Sequence, residues 1–184
     1  MIWIIVAIVV ALVLFAVYAF NKLRRTDINA QEALGGIDVQ LTRRADLIPN
    51  LVNTVKGYAQ HESGVFEAVT NARAGVAAAA KDGTVAEKAS AEAALDQAIV
   101  NVLAVAENYP DLKASANFQQ LQAELSDTEN KISFARQYYN DAVSTLNQLV
   151  QTIPWMFFSG IASVSAREFY SAPEGQGTPP TVQF

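Results

Sequence analysis

His61-Glu62 is the one place where this sequence begins to look like a hydrolytic metal site. A zinc protease needs a second histidine four residues on, so that both imidazoles share a helix face, and that position is Val65. The chain has 1 His and 0 Cys, which removes disulfides, thiolate sites, cysteine nucleophiles and any two-imidazole mechanism within one chain. A di-iron bundle site needs Glu-x-x-His on each of two helices, and the single histidine excludes that too. Ser63, two residues after His61, is badly placed to act as nucleophile for a base on the same helix. No glycine-rich phosphate loop is present. His61 reads as a surface or cap histidine. The chain reads as non-enzymatic, with no catalytic, metal-binding or cofactor-binding residue and no cofactor.

A second polar constellation is Arg43, Arg44, Asp46, Asn50 and Asn53. Arg44 falls on an otherwise apolar stripe, and a guanidinium on a packed face wants a carboxylate or a helix C-terminus. That predicts an internal ion pair or network, with an inter-subunit bridge or partner contact as the functional alternative. Glu62 also falls on the stripe. It lies 18 residues from Arg44, about 27 Å along a straight helix, so the two could meet only across chains. Trp155, Phe157 and Phe158 form an aromatic cluster with three readings: a cap on the core, a dip into the membrane interface, or a contact with a neighbouring subunit. If the first long helix only kinks at Pro49, three legs leave Trp155 far from the membrane. If the chain reverses near Pro49, a fourth leg brings it back.

These side chains need elements to hold them. The first is a membrane segment. Residues 1–21 contain no charged side chain, and Ile2 to Phe20 is almost wholly apolar. Nineteen residues rise about 28 Å, close to the hydrocarbon thickness of about 30 Å. Trp3 and Tyr18 sit near the ends, where amphipathic rings meet headgroups, and Lys22, Arg24 and Arg25 follow at once. The basic flank predicts an N-terminus outside and a cytoplasmic C-terminal domain, in a bacterial cytoplasmic (inner) membrane. A cleaved signal peptide, with Val17-Tyr18-Ala19 as its site, is the competing reading. Its charges would lie on the wrong side and its apolar run would be too long. Ala7 and Ala11 form a small-xxx-small pair that could let two such helices approach.

Beyond the anchor the pattern is helical. Apolar residues recur every three or four positions from Leu34 to Ala79, predicting one helix that kinks or restarts at Pro49, with Asp46 able to cap a restart. Lys81-Asp82-Gly83-Thr84 is a turn, and Thr84 with Glu87 has capping-box spacing. A second helix ends at Asn108-Tyr109-Pro110. The third carries Phe118, Leu121, Leu125, Thr128, Ile132, Ala135, Tyr139, Ala142, Leu146, Leu149 and Ile153, an uncharged coiled-coil-like seam of five heptads. Its partners could lie in the same chain or another. The expected fold is all-α: a transmembrane anchor (1–21), a bundle of three or four long antiparallel helices (22–160) and an extended C-terminal tail (161–184) ending in Val182-Gln183-Phe184.

Charge limits the partners. The net charge is −5, with no dense basic tract, so nucleic acid is excluded as a ligand. Residues 82–129 carry two basic and nine acidic side chains, a net of −7, either a solvated face or a contact for a basic partner.

The run Ile37-Asp38-Val39-Gln40-Leu41-Thr42-Arg43-Arg44-Ala45-Asp46-Leu47-Ile48-Pro49-Asn50-Leu51-Val52 resembles the LemA family. So do Val55-Lys56-Gly57-Tyr58-Ala59, His61-Glu62, Ala72-Arg73, Tyr109-Pro110-Asp111-Leu112-Lys113-Ala114 and Thr128-Glu129-Asn130-Lys131-Ile132. The terminal Pro179-Pro180-Thr181-Val182-Gln183-Phe184 looks like that family's ending. The sequence departs from the pattern around Gly64 and over 154–168. The resemblance implies a bacterial single-pass membrane protein with an all-α cytoplasmic-type domain, some relatives of which are associated with magnetosome membranes. It brings no catalytic residue, so the shared motifs are candidate interaction surfaces. The leading expectation is a scaffold, homo-oligomeric through its long helices, that organises membrane or envelope assemblies. The alternative is an adaptor presenting Val182 and Phe184 or the acidic helices to an unidentified protein partner such as a membrane protease. In either case the lipid bilayer is a partner.

Overall fold

α1 (Ile2–Lys56) runs unbroken from the apolar segment through Gly35-Gly36 and Pro49. The structure is a computed structural model and describes residues 1–59 and 61–171, among which every regular element is a helix. Periodicity predicts one helix as far as Ala79, but α1 stops at Lys56 and α2 (Ser63–Asp82) begins after a turn. Gly57, a poor helix former, opens that turn, and the amides of Tyr58 and Ala59 both donate to the Val55 carbonyl, at 3.0 and 2.9 Å. An apolar stripe reports which residues are buried; it stays in phase whether the chain continues or reverses.

Pro49 lacks the N–H that would bond the Ala45 carbonyl, four residues back. The side chain of Arg73, on α2, supplies that donor: its Nε donates to the Ala45 carbonyl at 3.0 Å. The helix therefore passes its proline with the freed acceptor satisfied.

Gly83 closes α2 by donating its N–H to the Ala79 carbonyl at 2.9 Å. A Cβ there would lie 2.5 Å from the Ala79 oxygen and 2.9 Å from its Cα, so only glycine fits. α3 (Val85–Ala106) then starts with the predicted capping box. The Glu87 amide donates to Thr84 Oγ1 at 3.2 Å, and the Thr84 amide donates to Glu87 Oε2 at 2.7 Å. These bonds from Thr84, the backbone one foremost, hold the Glu87 carboxyl below its ordinary value. A short α4 (Pro110–Lys113) has its proline at N1, where the missing N–H leaves no bond unmade. α5 (Ala116–Gln151) and the single turn α6 (Met156–Ser159) complete the helices.

Two compact units share these elements: Met1–Gly36 with Arg136–Phe169, and Ile37–Ala135 with Tyr170 and Ser171. In the first, Tyr138 bonds Asn29 while Trp155 meets Phe15 and Tyr18, so the end of α5 runs antiparallel to the start of α1. Leu23, Ala30, Tyr139, Val143, Leu146 and Val164 are among its buried residues. In the second, Asp38 pairs with Lys88 and Arg44 with Asp96, so α3 runs parallel to α1, and α2 and α3 form a hairpin. Ile37, Leu41, Ile48, Leu51 and Val55 continue the α1 stripe across Pro49 as core.

The α5 seam is internal. Phe118, Leu121, Leu125, Thr128, Ile132, Tyr139, Ala142 and Leu146 are all buried within the single chain, whereas Ile153 at its end is exposed. The fourth leg that returns to the anchor exists, but its cause differs from the reversal at Pro49 considered from sequence. The chain reverses after Lys56.

Candidate functional site

The anchor residues come first in the chain. Trp3, Ala7, Ala11, Tyr18, Lys22 and Arg25 are all exposed. Only 6% of the most apolar 18-residue window of α1 is buried, as expected of a helix whose solvent is lipid. α3 is also long and apolar enough to span, but 39% of its window is buried and it carries buried Lys88 and Glu92, the marks of a core helix. Arg24 is tied to Asp27 at 3.6 Å. Lys22 and Arg25 have no carboxylate partner among the described residues. With Tyr18, Asn21, Asn29 and Thr145 they line an open cleft of about 440 Å³.

Trp155 lies against the anchor. Its ring stacks at 6.2 Å from Phe15 and sits 5.7 Å from Tyr18, and Phe158 meets Phe15 edge-on at 5.8 Å. Phe157, between them in sequence, points away and is exposed. Further along, the chain straps back over α5. Asn147 and Arg167 exchange two bonds of 2.9 Å, side-chain amide to backbone in each direction. Arg167 Nε donates to Asp27 at 2.8 Å, and the Tyr139 hydroxyl donates to the Glu168 carbonyl at 2.8 Å. Burial, opposed by the nearby Arg167 charge, pushes the Tyr139 hydroxyl above its ordinary value, so it stays a donor at any physiological pH.

The second unit holds a buried ionic network. Arg44 Nη1 bridges Asp96 and Glu129, the latter at 2.6 Å. Lys88 Nζ donates to Asp38 at 2.6 Å and to the Ala80 carbonyl at 3.3 Å. The Tyr170 hydroxyl donates to Glu92 at 2.7 Å. Each buried charge thus meets an opposite charge or a hydroxyl, which is the condition for burying it at all. Arg44 is therefore an internal ion pair. Arg43, one residue away, is exposed. Asp46 is exposed and only 3.9 Å from Arg73. It lies inside α1, so it caps no restart.

Glu62 sits at the N-cap of α2, makes no side-chain cap bond and has no ion pair among the described residues. The reversal places it on a different helix from Arg44. Asn50 and Asn53 share an open polar cleft of about 320 Å³ with Asn117, Gln120 and Glu124. Val182 and Phe184 lie outside the described residues. Among the described residues no group of three His, Asp or Glu converges to hold a metal ion.

Lys88, Glu92 and Asp96 were not singled out from the sequence. The signal was present: they recur every four residues on the face that also carries Leu95 and Ile99, so three charges share a helix face with core residues. They also consume part of the acidic surplus of residues 82–129.

Comparison with known proteins gives a consistent result. Residues 33–184 match the LemA family. The chain is similar to Magnetosome protein MamQ 2 of Paramagnetospirillum magneticum, 22% identical over 194 residues that cover 93% of this chain and 71% of that protein. It is also similar to Magnetosome protein MamQ of Magnetospirillum gryphiswaldense, 22% identical over 174 residues that cover 82% of this chain and 64% of that protein.

Proposed function

This chain belongs to the LemA family, and from that premise we propose that it is a non-enzymatic, membrane-tethered helical adaptor. It holds one or more partner proteins at a membrane through the outer faces of its helical domain. The observation that carries this reading is the internal seam: the α5 residues Phe118, Leu121, Leu125, Thr128, Ile132, Tyr139, Ala142 and Leu146 are buried in their own chain, so this apolar stripe is not offered to a second copy. Similarity to two proteins named for the magnetosome supports work on a membrane assembly.

A self-associating scaffold is the second reading, and one observation favours it. Ala7 and Ala11 are exposed on α1 and would let two anchors pack closely in the bilayer. Measuring the mass of the full-length protein in nanodiscs separates the two. The adaptor reading expects a monomer. A discrete assembly that dissociates in an Ala7→Leu/Ala11→Leu variant would replace it with the scaffold.

We place the domain on the cytoplasmic face of the bacterial inner membrane with the N-terminus outside, because Lys22, Arg24 and Arg25 follow the span at once. Since the chain has 0 Cys, a His61→Cys variant gives a single label site. A membrane-impermeant maleimide is expected to reach it only after lysis. Labelling in intact cells would reverse the orientation.

A further inference from the structure

We propose that the tip between α5 and the strap, residues 153–161, is inserted into the bilayer beside the anchor as an interfacial element.

Depth follows from the ring contacts. Trp155 packs on Phe15 and Tyr18 of α1, which precede Phe20, the end of the apolar run, by five and two residues. At about 1.5 Å per residue, these rings lie roughly 3–8 Å inside the boundary of the span. That is the depth at which amphipathic elements rest in the interface, about 5–10 Å. Just past Phe20, Lys22 and Arg25 line their cleft without a carboxylate partner, at the level where lipid phosphates lie.

The tip has the chemistry for that layer. Residues 142–166 contain no charged side chain. Ile153, Phe157 and Ile161 are 72%, 65% and 72% exposed, and Met156 44%. Four large apolar groups are thus turned outward on one short segment, an arrangement that water penalises and hydrocarbon does not. The backbone also suits lipid, since polar groups there need internal partners. Met156 N–H donates to the Thr152 carbonyl at 2.9 Å, Phe158 to Trp155 at 2.9 Å, Ala162 to Phe158 at 2.9 Å and Val164 to Ser159 at 3.0 Å. Bilayer is the occupant, because the surface is continuous with a helix that already lies in it.

The test uses the full-length chain in nanodiscs, with nitroxides on single cysteines at Phe157→Cys and Ile161→Cys. Val10→Cys in the span and His61→Cys, exposed before α2, are the references. Collisions with oxygen and with a water-soluble nickel chelate report depth. Both tip sites are expected to lie between the two references, about fivefold less open to the chelate than His61→Cys but more open to it than Val10→Cys. Three results would overturn the proposal. Chelate access equal to that at His61→Cys means a water-facing tip. Spin–spin broadening that vanishes on dilution with unlabelled protein means a second copy. Exclusion of both reagents means burial in protein. Circular dichroism matching the wild type confirms that each variant is folded.

Discussion

Arg44→Met is expected to destabilise the helical domain by about 3 kcal/mol, the lower end of the effect of removing one partner from a buried ion pair. The side chain of Arg44 is 8% exposed, and it stands between carboxylates from α3 and α5. Methionine fills much of the space but leaves two acids facing one another without the guanidinium. Glu129 is 42% exposed and can turn to water, which keeps the loss from being larger. For a chain of this size the midpoint of thermal unfolding should fall by roughly 6–12 °C. Circular dichroism of the full-length protein in mild detergent reads this directly. Arg43→Met, one residue away and exposed, should leave the midpoint within experimental scatter. Equal midpoints for the two variants would mean that Arg44 does not hold the helical domain together. Arg44→Lys should recover only part of the loss, since a shorter side chain must carry a more strongly hydrated ammonium to the place where Nη1 meets both carboxylates.

Val6→Arg/Val10→Arg is expected to release the chain from the membrane. Each guanidinium near the middle of a span costs about 2.5–3.5 kcal/mol on insertion scales, so the pair removes roughly 6 kcal/mol. Both residues are exposed on α1, with no protein neighbour to shelter the new charge. Carbonate extraction should find the variant in the soluble or aggregated fraction. Val39→Arg, also on an exposed position of α1 but beyond the span, should stay with the membrane. If the double variant remained membrane-bound after carbonate washing, α1 would not be the main attachment.

Much of the fold is legible in the order of residues, because helices announce themselves by period. The α1 and α5 stripes, the Thr84–Glu87 box and the break before Pro110 are local signals, and each is where the sequence predicts it; the short α4 that Pro110 also opens is not predicted. The reversal after Lys56 is not local in that sense. Gly57 weakens the helix, but the same apolar phase continues into Val69 and Val76, since a hairpin and a continuous rod bury the same face of each segment. That one misplaced turn also misplaced Glu62 and changed the number of legs, and with it the position of Trp155. The ionic network was half visible. Arg44 betrays itself as a charge on an apolar stripe, while its partners come from residues 52 and 85 positions away, and nothing local selects them. Arg167 and Asn147 gave no warning, because their bonds are made to a strap without periodicity.

The bond from Arg73 to the Ala45 carbonyl has a consequence for how this chain can change. Proline at position 49 creates the need, and a guanidinium 24 residues later meets it. Neither residue makes full sense without the other. A lineage that exchanged Pro49 for alanine would restore the amide, and position 73 would become free to drift. One that lost Arg73 first would carry a buried acceptor with no donor until the proline also went. The two positions should therefore vary as a pair, with loss of the proline coming first.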